Sequence, residues 1–127
     1  MVNIQSQTTS NTSSISQAGA VVALTGTQEP LHKMKQEFEK RRSFVVKELK
    51  KIKGLEVIAP EGAFYVFVKT PISYSEKWCS ELLKKEYVAV VPGEAFCYPG
   101  YFRMSYASNL NNLKEGIERI NKFINQK

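Results

Sequence analysis

Apolar residues recur with helical spacing in the first part of the chain and predict two helices there. The first runs through residues 18–24, with an N-cap among residues 12–14 and Gly26 as its C-terminal stop. The second begins near Glu29, an acidic residue suited to a first turn, and ends at Gly54. Its apolar positions lie mostly on one stripe, so this helix is predicted to cover one side of a sheet. They are Leu31, Met34, Phe38, Val45, Leu49 and Ile52.

Two strands separated by a turn at residues 59–62 are predicted next, over residues 55–58 and 63–69. The second strand is apolar on both faces, which is typical of a strand in the middle of a covered sheet. We therefore expect it to be central, with Phe64 and Phe67 contacting helices on opposite sides.

The rest of the chain predicts a helix, two strands and a last helix. Ser73 and Glu76 have the spacing of a capping box, and the following apolar stripe is Trp78, Cys79, Leu82 and Leu83. Residues 87–91 read as a strand, so residues 63–91 predict a βαβ unit. A further strand passes through residues 101–106. Ser108 is the predicted N-cap of the last helix, whose inward positions are Leu110, Leu113, Ile117, Ile120 and Ile124.

The predicted order is ααββαββα, which defines an α+β fold, an α/β sandwich in which helices cover a small mixed sheet. Residues 1–13 are dominated by Gln, Ser, Thr and Asn and predict a flexible lead-in or connection without a core of its own. Residues 14–127 are the predicted domain.

Composition changes this picture little. A chain of 127 residues that is 43% hydrophobic and 24% charged fits one soluble globular domain. It contains no apolar run of membrane-spanning length and no signal-peptide pattern, so the cytoplasm is the expected compartment and no membrane partner is expected.

The cysteines and the histidine predict no metal or redox site. Cys79 and Cys97 are too few and too far apart for a disulfide framework or a CxxC motif, and we interpret both as small packing residues. His32 is the sole histidine, so a zinc set is not expected.

A net charge of +6 raises the possibility of nucleic-acid binding. Half of the cations fall in the second helix, interleaved with Glu37, Glu39 and Glu48, a pattern typical of a solvated helix face. They are Lys33, Lys35, Lys40, Arg41, Arg42, Lys47, Lys50, Lys51 and Lys53. Residues 62–68 superficially resemble the aromatic strand of an RNA-recognition motif, but the aromatics are shifted in register. We do not expect a nucleic-acid partner.

The stretch from Pro92 to Ala107 is the most informative for function. Two turn signals precede a short aromatic run, and Arg103 lies in the middle of that run. On a strand, Tyr101, Arg103 and Ser105 share one face. A guanidinium among apolar neighbours either reaches water along the sheet or binds an anion, and its planar fork matches a carboxylate. The pattern alone leaves both interpretations open.

Three segments in order resemble the C-terminal domain of class I/II aminotransferases, the fold type I enzymes of the aspartate aminotransferase family that depend on pyridoxal 5'-phosphate. They are Glu61-Gly62-Ala63-Phe64-Tyr65-Val66-Phe67, Val90-Val91-Pro92-Gly93-Glu94-Ala95-Phe96 and Phe102-Arg103-Met104-Ser105-Tyr106-Ala107. The polar segment of residues 5–17 is similar to the family's entry into its small domain. The resemblance implies that Arg103 binds the α-carboxylate of the substrate.

The chain departs from the family pattern in two ways. Cys97 stands where the family usually has glycine. More importantly, no segment resembles the region of the Schiff-base lysine, and the partners of the pyridine nitrogen and the phosphate are also missing. The resemblance therefore implies no catalytic and no cofactor-binding residue in this chain.

The resemblance implies that the complete enzyme transfers an amino group between an amino acid and a 2-oxo acid, as a homodimer whose large domain binds pyridoxal phosphate. The chain alone is expected to be inactive and to bind no cofactor covalently. The alternative is a non-catalytic α+β domain in which Arg103 binds an amino acid by itself, and it predicts measurable affinity in the isolated chain.

Overall fold

The computed structural model describes residues 2–9 and 11–126 in two compact units, which divide between Lys35 and Gln36. The first unit contains helices α1 (Val2–Thr8) and α2 (Ser14–Thr25), and the division falls within α3 (Glu29–Leu49). The predicted ends of α2 are confirmed. Ser13 is its N-cap and accepts a hydrogen bond from Ser16 N–H at 3.3 Å, and Gly26 N–H donates to the Val22 carbonyl at 2.8 Å.

The lead-in contains helix α1, where sequence composition predicted flexible chain. Hydroxyl groups are satisfied inside this helix: Thr8 Oγ1 donates to the Ile4 carbonyl at 2.8 Å. Every described residue up to Lys35 is exposed, which agrees with a segment that has no core of its own. Met1, Ser10 and Lys127 lie outside the described residues, so the lead-in prediction is not assessed at the first two.

The second unit has a four-stranded sheet of β1 (Glu56–Ile58), β2 (Tyr65–Lys69), β3 (Val91–Pro92) and β4 (Tyr101–Ser105) in the order β1-β2-β4-β3. All three pairings are antiparallel, so the α+β class is confirmed but the sheet is not mixed. Strands β2 and β3 run in the same direction, yet β4 lies between them and pairs with both. The predicted βαβ unit is therefore split by a later strand.

Helices α4 (Glu76–Glu86) and α5 (Leu110–Asn125) complete the fold, and their N-caps differ from the predicted ones. Ser75 rather than Ser73 precedes α4. Asn109 rather than Ser108 caps α5, where its Oδ1 accepts from Asn112 N–H at 2.8 Å. After α4, Tyr87 adopts a left-handed conformation with φ of 56°, so the strand predicted over residues 87–91 is limited to β3.

The core lies on one face of the sheet, which we call the covered face. Its strand residues are Val66, Val68, Phe102 and Met104. They cluster with buried residues of α3, α4 and α5 and of the turn after α3, which are Val45, Leu49, Ile52, Leu55, Trp78, Cys79, Leu82, Leu113, Ile117, Ile120 and Phe123. The Trp78 and Phe102 rings stack with centroids 5.2 Å apart. Helix α3 ends earlier than predicted, and turns lead from Leu49 to Gly54, whose φ is +92°.

The opposite face of the sheet, which we call the open face, carries Tyr65, Phe67, Tyr101 and Arg103, all half-buried. The prediction that β2 is central is confirmed, but the prediction of helices on both sides is wrong. Phe64 precedes β2 and is 40% exposed, but its ring centroid lies 6.0 Å from that of Phe38 in α3, so its predicted contact with a helix is confirmed. Phe67 contacts aromatic side chains of a loop and of β4 instead of an α-helix. An apolar pattern on both faces arises here because aromatic rings cover one another on the open face.

Candidate functional site

Arg103 lies in the middle of the open face because of its position in β4. Its backbone is opposite Phe67 of β2 on one side and opposite Val91 of β3 on the other. The predicted alternation is confirmed: Phe102 and Met104 are buried, whereas Tyr101 and Arg103 are half-buried. The side chain of Arg103 is thus placed by a paired strand and not by a flexible loop.

Two aromatic rings contact the Arg103 guanidinium. Its Cζ lies 4.2 Å from the centroid of the Tyr65 ring and 4.4 Å from the centroid of the Phe96 ring. Both distances are well within the range of a cation–π interaction. This attraction acts through the ring faces, so it does not use the N–H donors of the guanidinium.

The hydrogen bonding of Arg103 differs from that of the other arginines. Arg41 Nε bonds to Glu37 at 3.0 Å, Arg42 donates to a backbone carbonyl, and Arg119 bonds to Glu115 and to a carbonyl. Within residues 2–9 and 11–126, Arg103 has no hydrogen bond or ion pair. Its donors therefore remain available for an external acceptor, and a carboxylate matches their geometry.

The loop that carries Phe96 is fixed by close backbone contacts. It begins with a 3-10 helix, Gly93–Phe96, directly after β3. Gly93 is buried, and a Cβ atom at this position would lie 2.1 Å from the Tyr98 carbonyl oxygen. A side chain at position 93 is therefore incompatible with the loop as it is folded here.

Glu94 ties the same loop to the start of α4. Its carboxylate accepts from Ser75 N–H at 2.6 Å, from the Ser75 hydroxyl at 2.6 Å and from Gly100 N–H at 3.4 Å. The fully buried Ser75 hydroxyl also lies within hydrogen-bonding distance of the Tyr101 carbonyl, and it accepts from Gly93 N–H at 3.3 Å. The use of this hydroxyl in the loop explains why it does not cap α4.

The ionised form of Glu94 is favoured by this network. Partial burial by itself raises the pKa of the Glu94 carboxyl, but the hydrogen bonds from the side chain and backbone of Ser75 and from Gly100 outweigh it. The net effect holds the pKa below its usual range. Glu94 is therefore a charged structural group at neutral pH.

The other rings of the open face form one cluster around Phe67. Its ring centroid lies 5.6 Å from that of Tyr101, 5.9 Å from that of Phe96 and 5.9 Å from that of Tyr98. The Tyr98 and Tyr101 centroids are 4.6 Å apart. The open face is thus an aromatic surface with one arginine in it.

The two cysteines have different environments. Cys79 is buried in α4, and burial raises the pKa of its thiol to about 11, as expected for an inert packing residue. Cys97 is exposed and left-handed, with φ of 56°, so its interpretation as a packing residue is wrong. Residues 2–9 and 11–126 contain no cluster of three or more His, Cys, Asp or Glu side chains that could hold a metal ion.

The basic face of α3 is partly neutralised by neighbouring acids. Lys33 pairs with Glu29 at 2.6 Å and Arg41 with Glu37 at 3.0 Å, both with i,i+4 spacing. These exposed or half-exposed pairs fit the interpretation of a solvated helix face. None of the helices in the described part of the chain is long and apolar enough to cross a bilayer.

Comparisons with known proteins identify the family to which this chain belongs. The profile of the family "Aminotransferase class I and II" matches residues 1–120. The chain belongs to this family, which depends on pyridoxal phosphate.

The relatives are much longer than this chain. An aspartate aminotransferase of Rhizobium meliloti is 45% identical over 132 residues, covering 94% of this chain and 32% of the relative. One of Bacillus subtilis is 40% identical over 131 residues, covering 98% and 33%. The crystal structure of the Rhizobium meliloti aspartate aminotransferase superposes with a TM-score of 0.89 at 42% identity, covering 96% of this chain and 34% of that one. The chain thus spans about a third of these relatives.

The lysines present here do not fit covalent attachment of pyridoxal phosphate. A Schiff-base lysine is activated by a lowered pKa, which burial or a neighbouring cation provides. Among the described lysines, Lys69 is half-buried and all others are exposed. The hydrogen bond and charge of Glu56 raise the pKa of Lys69 instead. No catalytic step is therefore assigned to a lysine of this chain.

Sequence reasoning identified Arg103 but missed the residues around its guanidinium. Tyr65 could have been found, since it lies two residues before Phe67 and shares its face of β2. Phe96 and Glu94 were noted only as parts of a motif. Their roles depend on how the loop folds back over the sheet, which strand periodicity does not encode.

Proposed function

We propose that this chain is the C-terminal, substrate-binding domain of a pyridoxal-phosphate-dependent aminotransferase of the aspartate aminotransferase type. The observation that carries the proposal is that Arg103, on the open face of this family's fold, is held between two rings with its hydrogen-bond donors free. The substrates are an amino acid and a 2-oxo acid, whose shared group is a carboxylate.

Arg103 contributes binding and orientation. Two parallel N–H···O bonds fix a carboxylate in position and in plane, which a single point charge does not. The surrounding rings exclude water from part of the guanidinium and strengthen its attraction for an anion. A substrate held in this way presents its reactive carbon in a constant direction, which is an orientation contribution to catalysis.

The cofactor and its lysine belong to the preceding part of the polypeptide in this proposal. The exposed apolar side chains of the first unit support this assignment. A folded protein normally buries such side chains, so we infer that another protein surface covers them. They are Val2, Ile4, Ile15, Val21, Val22, Leu24, Leu31 and Met34. We assign this surface to contacts with the large domain of a cytoplasmic homodimer. The isolated chain is expected to be inactive.

The reading frame upstream of Met1 tests the domain assignment. A continuous frame with a Schiff-base lysine motif supports it, whereas an in-frame stop contradicts it and favours a free-standing amino-acid-binding domain. The isolated chain should form no site-specific covalent adduct with pyridoxal phosphate. An absorbance band that survives dialysis and disappears when one particular lysine is replaced would contradict this expectation.

The role of Arg103 is tested by Arg103→Lys in the complete enzyme. Lysine keeps the charge but loses the fork, and weakening such a pair costs about 2 to 5 kcal/mol. We expect kcat/KM to fall by about thirtyfold to several thousandfold. Cofactor retention and melting temperature should change little, and both serve as controls. Unchanged kcat/KM, or activity lost only through unfolding, would assign Arg103 a structural role.

A further inference from the structure

Arg103 is the one arginine in the described chain whose guanidinium is placed by aromatic rings and by no oxygen acceptor. The rings come from both sides of β4. Tyr65 lies on β2, diagonally across from Arg103 on the open face, since Tyr65 is opposite Ser105 and Phe67 is opposite Arg103. Phe96 comes from the loop after β3, the other neighbour of β4.

We propose that Tyr65 and Phe96 are positioning residues that clamp the Arg103 guanidinium and set the direction of its carboxylate-binding edge. This inference rests on the proposed function and adds two residues to the binding site. The Arg103 side chain has several rotatable bonds, and a guanidinium free to move must be ordered when a ligand binds. The Tyr65 and Phe96 rings order the guanidinium before a ligand binds, and they leave its N–H donors unused.

Each ring is itself held in place. The start of β2 is fixed by Tyr106, which donates through its hydroxyl to the Ala63 carbonyl at 2.9 Å and through its N–H to the Phe64 carbonyl at 2.8 Å. The loop that carries Phe96 is fixed by the hydrogen bonds of Glu94 described above. The clamp is therefore made of two anchored rings.

The Tyr98 side chain provides a matched control. It belongs to the same loop and packs against Phe67 and Tyr101, but it does not contact the guanidinium. Tyr98→Leu removes an aromatic ring from the open face and leaves the clamp intact. Tyr65→Leu and Phe96→Leu each remove one side of the clamp, while Tyr65→Phe keeps a ring and removes only the hydroxyl.

The test is NMR of the Arg103 side chain in the 127-residue chain. We expect its Nε–H and Cδ–H signals to be shifted upfield by the two rings and its guanidinium rotation to be slowed. Because each Leu variant removes one of the two rings, both features should be clearly reduced in Tyr65→Leu and Phe96→Leu and kept in Tyr65→Phe and Tyr98→Leu. Identical Arg103 signals in all five proteins would overturn the clamp. Melting temperatures confirm that each variant is folded, and Phe96→Tyr, which keeps a ring, should keep both features.

Titration with acetate at constant ionic strength then measures the consequence for binding. We expect a saturable response of Arg103 in the wild type and about 2- to 30-fold weaker binding in the two Leu variants. Equal affinity in variants that have lost the ring shifts would overturn the positioning role. Ring shifts in a wild type that does not respond to acetate would instead contradict carboxylate binding by Arg103 in this chain while leaving the clamp in place, so the two failures are distinguishable.

Discussion

The two faces of the sheet use the same kind of side chain in different ways. On the covered face, Phe102 is fully buried and stacks on Trp78 within a core formed with the helices. On the open face, the half-buried ring of Tyr65 and the exposed ring of Phe96 contact a cation, the Arg103 guanidinium. Aromatic burial on the first face holds the fold together. On the second face, accessible rings contact the guanidinium that we propose to bind a carboxylate.

The largest difference in stability between the two faces is expected for substitutions at two neighbouring residues of β4. Phe102→Ala removes a buried ring and should reduce the free energy of unfolding by about 3 to 5 kcal/mol. Tyr101→Ala removes a half-exposed ring and should cost about 1 kcal/mol, mainly through lost ring contacts. Urea denaturation of both variants measures the difference. Similar losses would show that the open face contributes to the core as much as the covered face.

A smaller effect is expected for the hydrogen bonds that join the open-face loop to α4. Glu94→Gln weakens three charge-assisted bonds and should lower the free energy of unfolding by about 1 to 2 kcal/mol at pH 7. The matched control is Glu61→Gln, at an exposed carboxylate without a hydrogen bond or ion pair in the described structure. This control should change stability by less than about 0.5 kcal/mol.

The pH dependence of the Glu94→Gln difference follows from the lowered pKa of Glu94 in the fold. The unfolded state then binds the proton more tightly, so the stabilisation is complete above the unfolded pKa of about 4.3. It is lost as the pH falls through the folded pKa. The gap between wild type and Glu94→Gln should therefore be constant near neutral pH and narrow in acid. A gap that widens below pH 4 would contradict this assignment.

The smallest expected effect concerns the conformation of the open-face loop. Cys97 has a left-handed backbone conformation, which is strained for a residue that carries a side chain, and Cys97→Gly removes this strain. The free energy of unfolding should rise by only about 0.5 kcal/mol, because glycine also gives the unfolded chain more freedom, which offsets part of the gain. Ala95→Gly, in the preceding 3-10 helix, is the control and should lower stability by a similar amount. A raised thermal midpoint for Cys97→Gly and a lowered one for Ala95→Gly would support strain at Cys97. A lowered midpoint for both variants would rule it out.

The covered face could be predicted from the sequence far better than the open face. The alternation in β4 follows from spacing alone and is confirmed. In α5, Leu113, Ile117 and Ile120 are buried as predicted, whereas Leu110 is exposed and Phe123 is buried instead. Spacing could not distinguish rings buried by helices from rings buried by one another, so Phe67 was placed against a helix. Local sequence predicts Ser73 as the cap because it does not reveal that Glu94, from a loop distant in sequence, forms hydrogen bonds with Ser75.

The short length and full exposure of helices α1 and α2 should make them dynamic in the free chain. They have 7 and 12 residues and no buried side chain, and isolated helices of such lengths are only marginally stable in water. Their backbone amides should exchange with deuterium through local opening, without global unfolding, whereas amides of β2 and β4 should exchange only when the whole sheet opens. Hydrogen exchange would thus separate the chain into a segment that opens locally and a domain that keeps its own order.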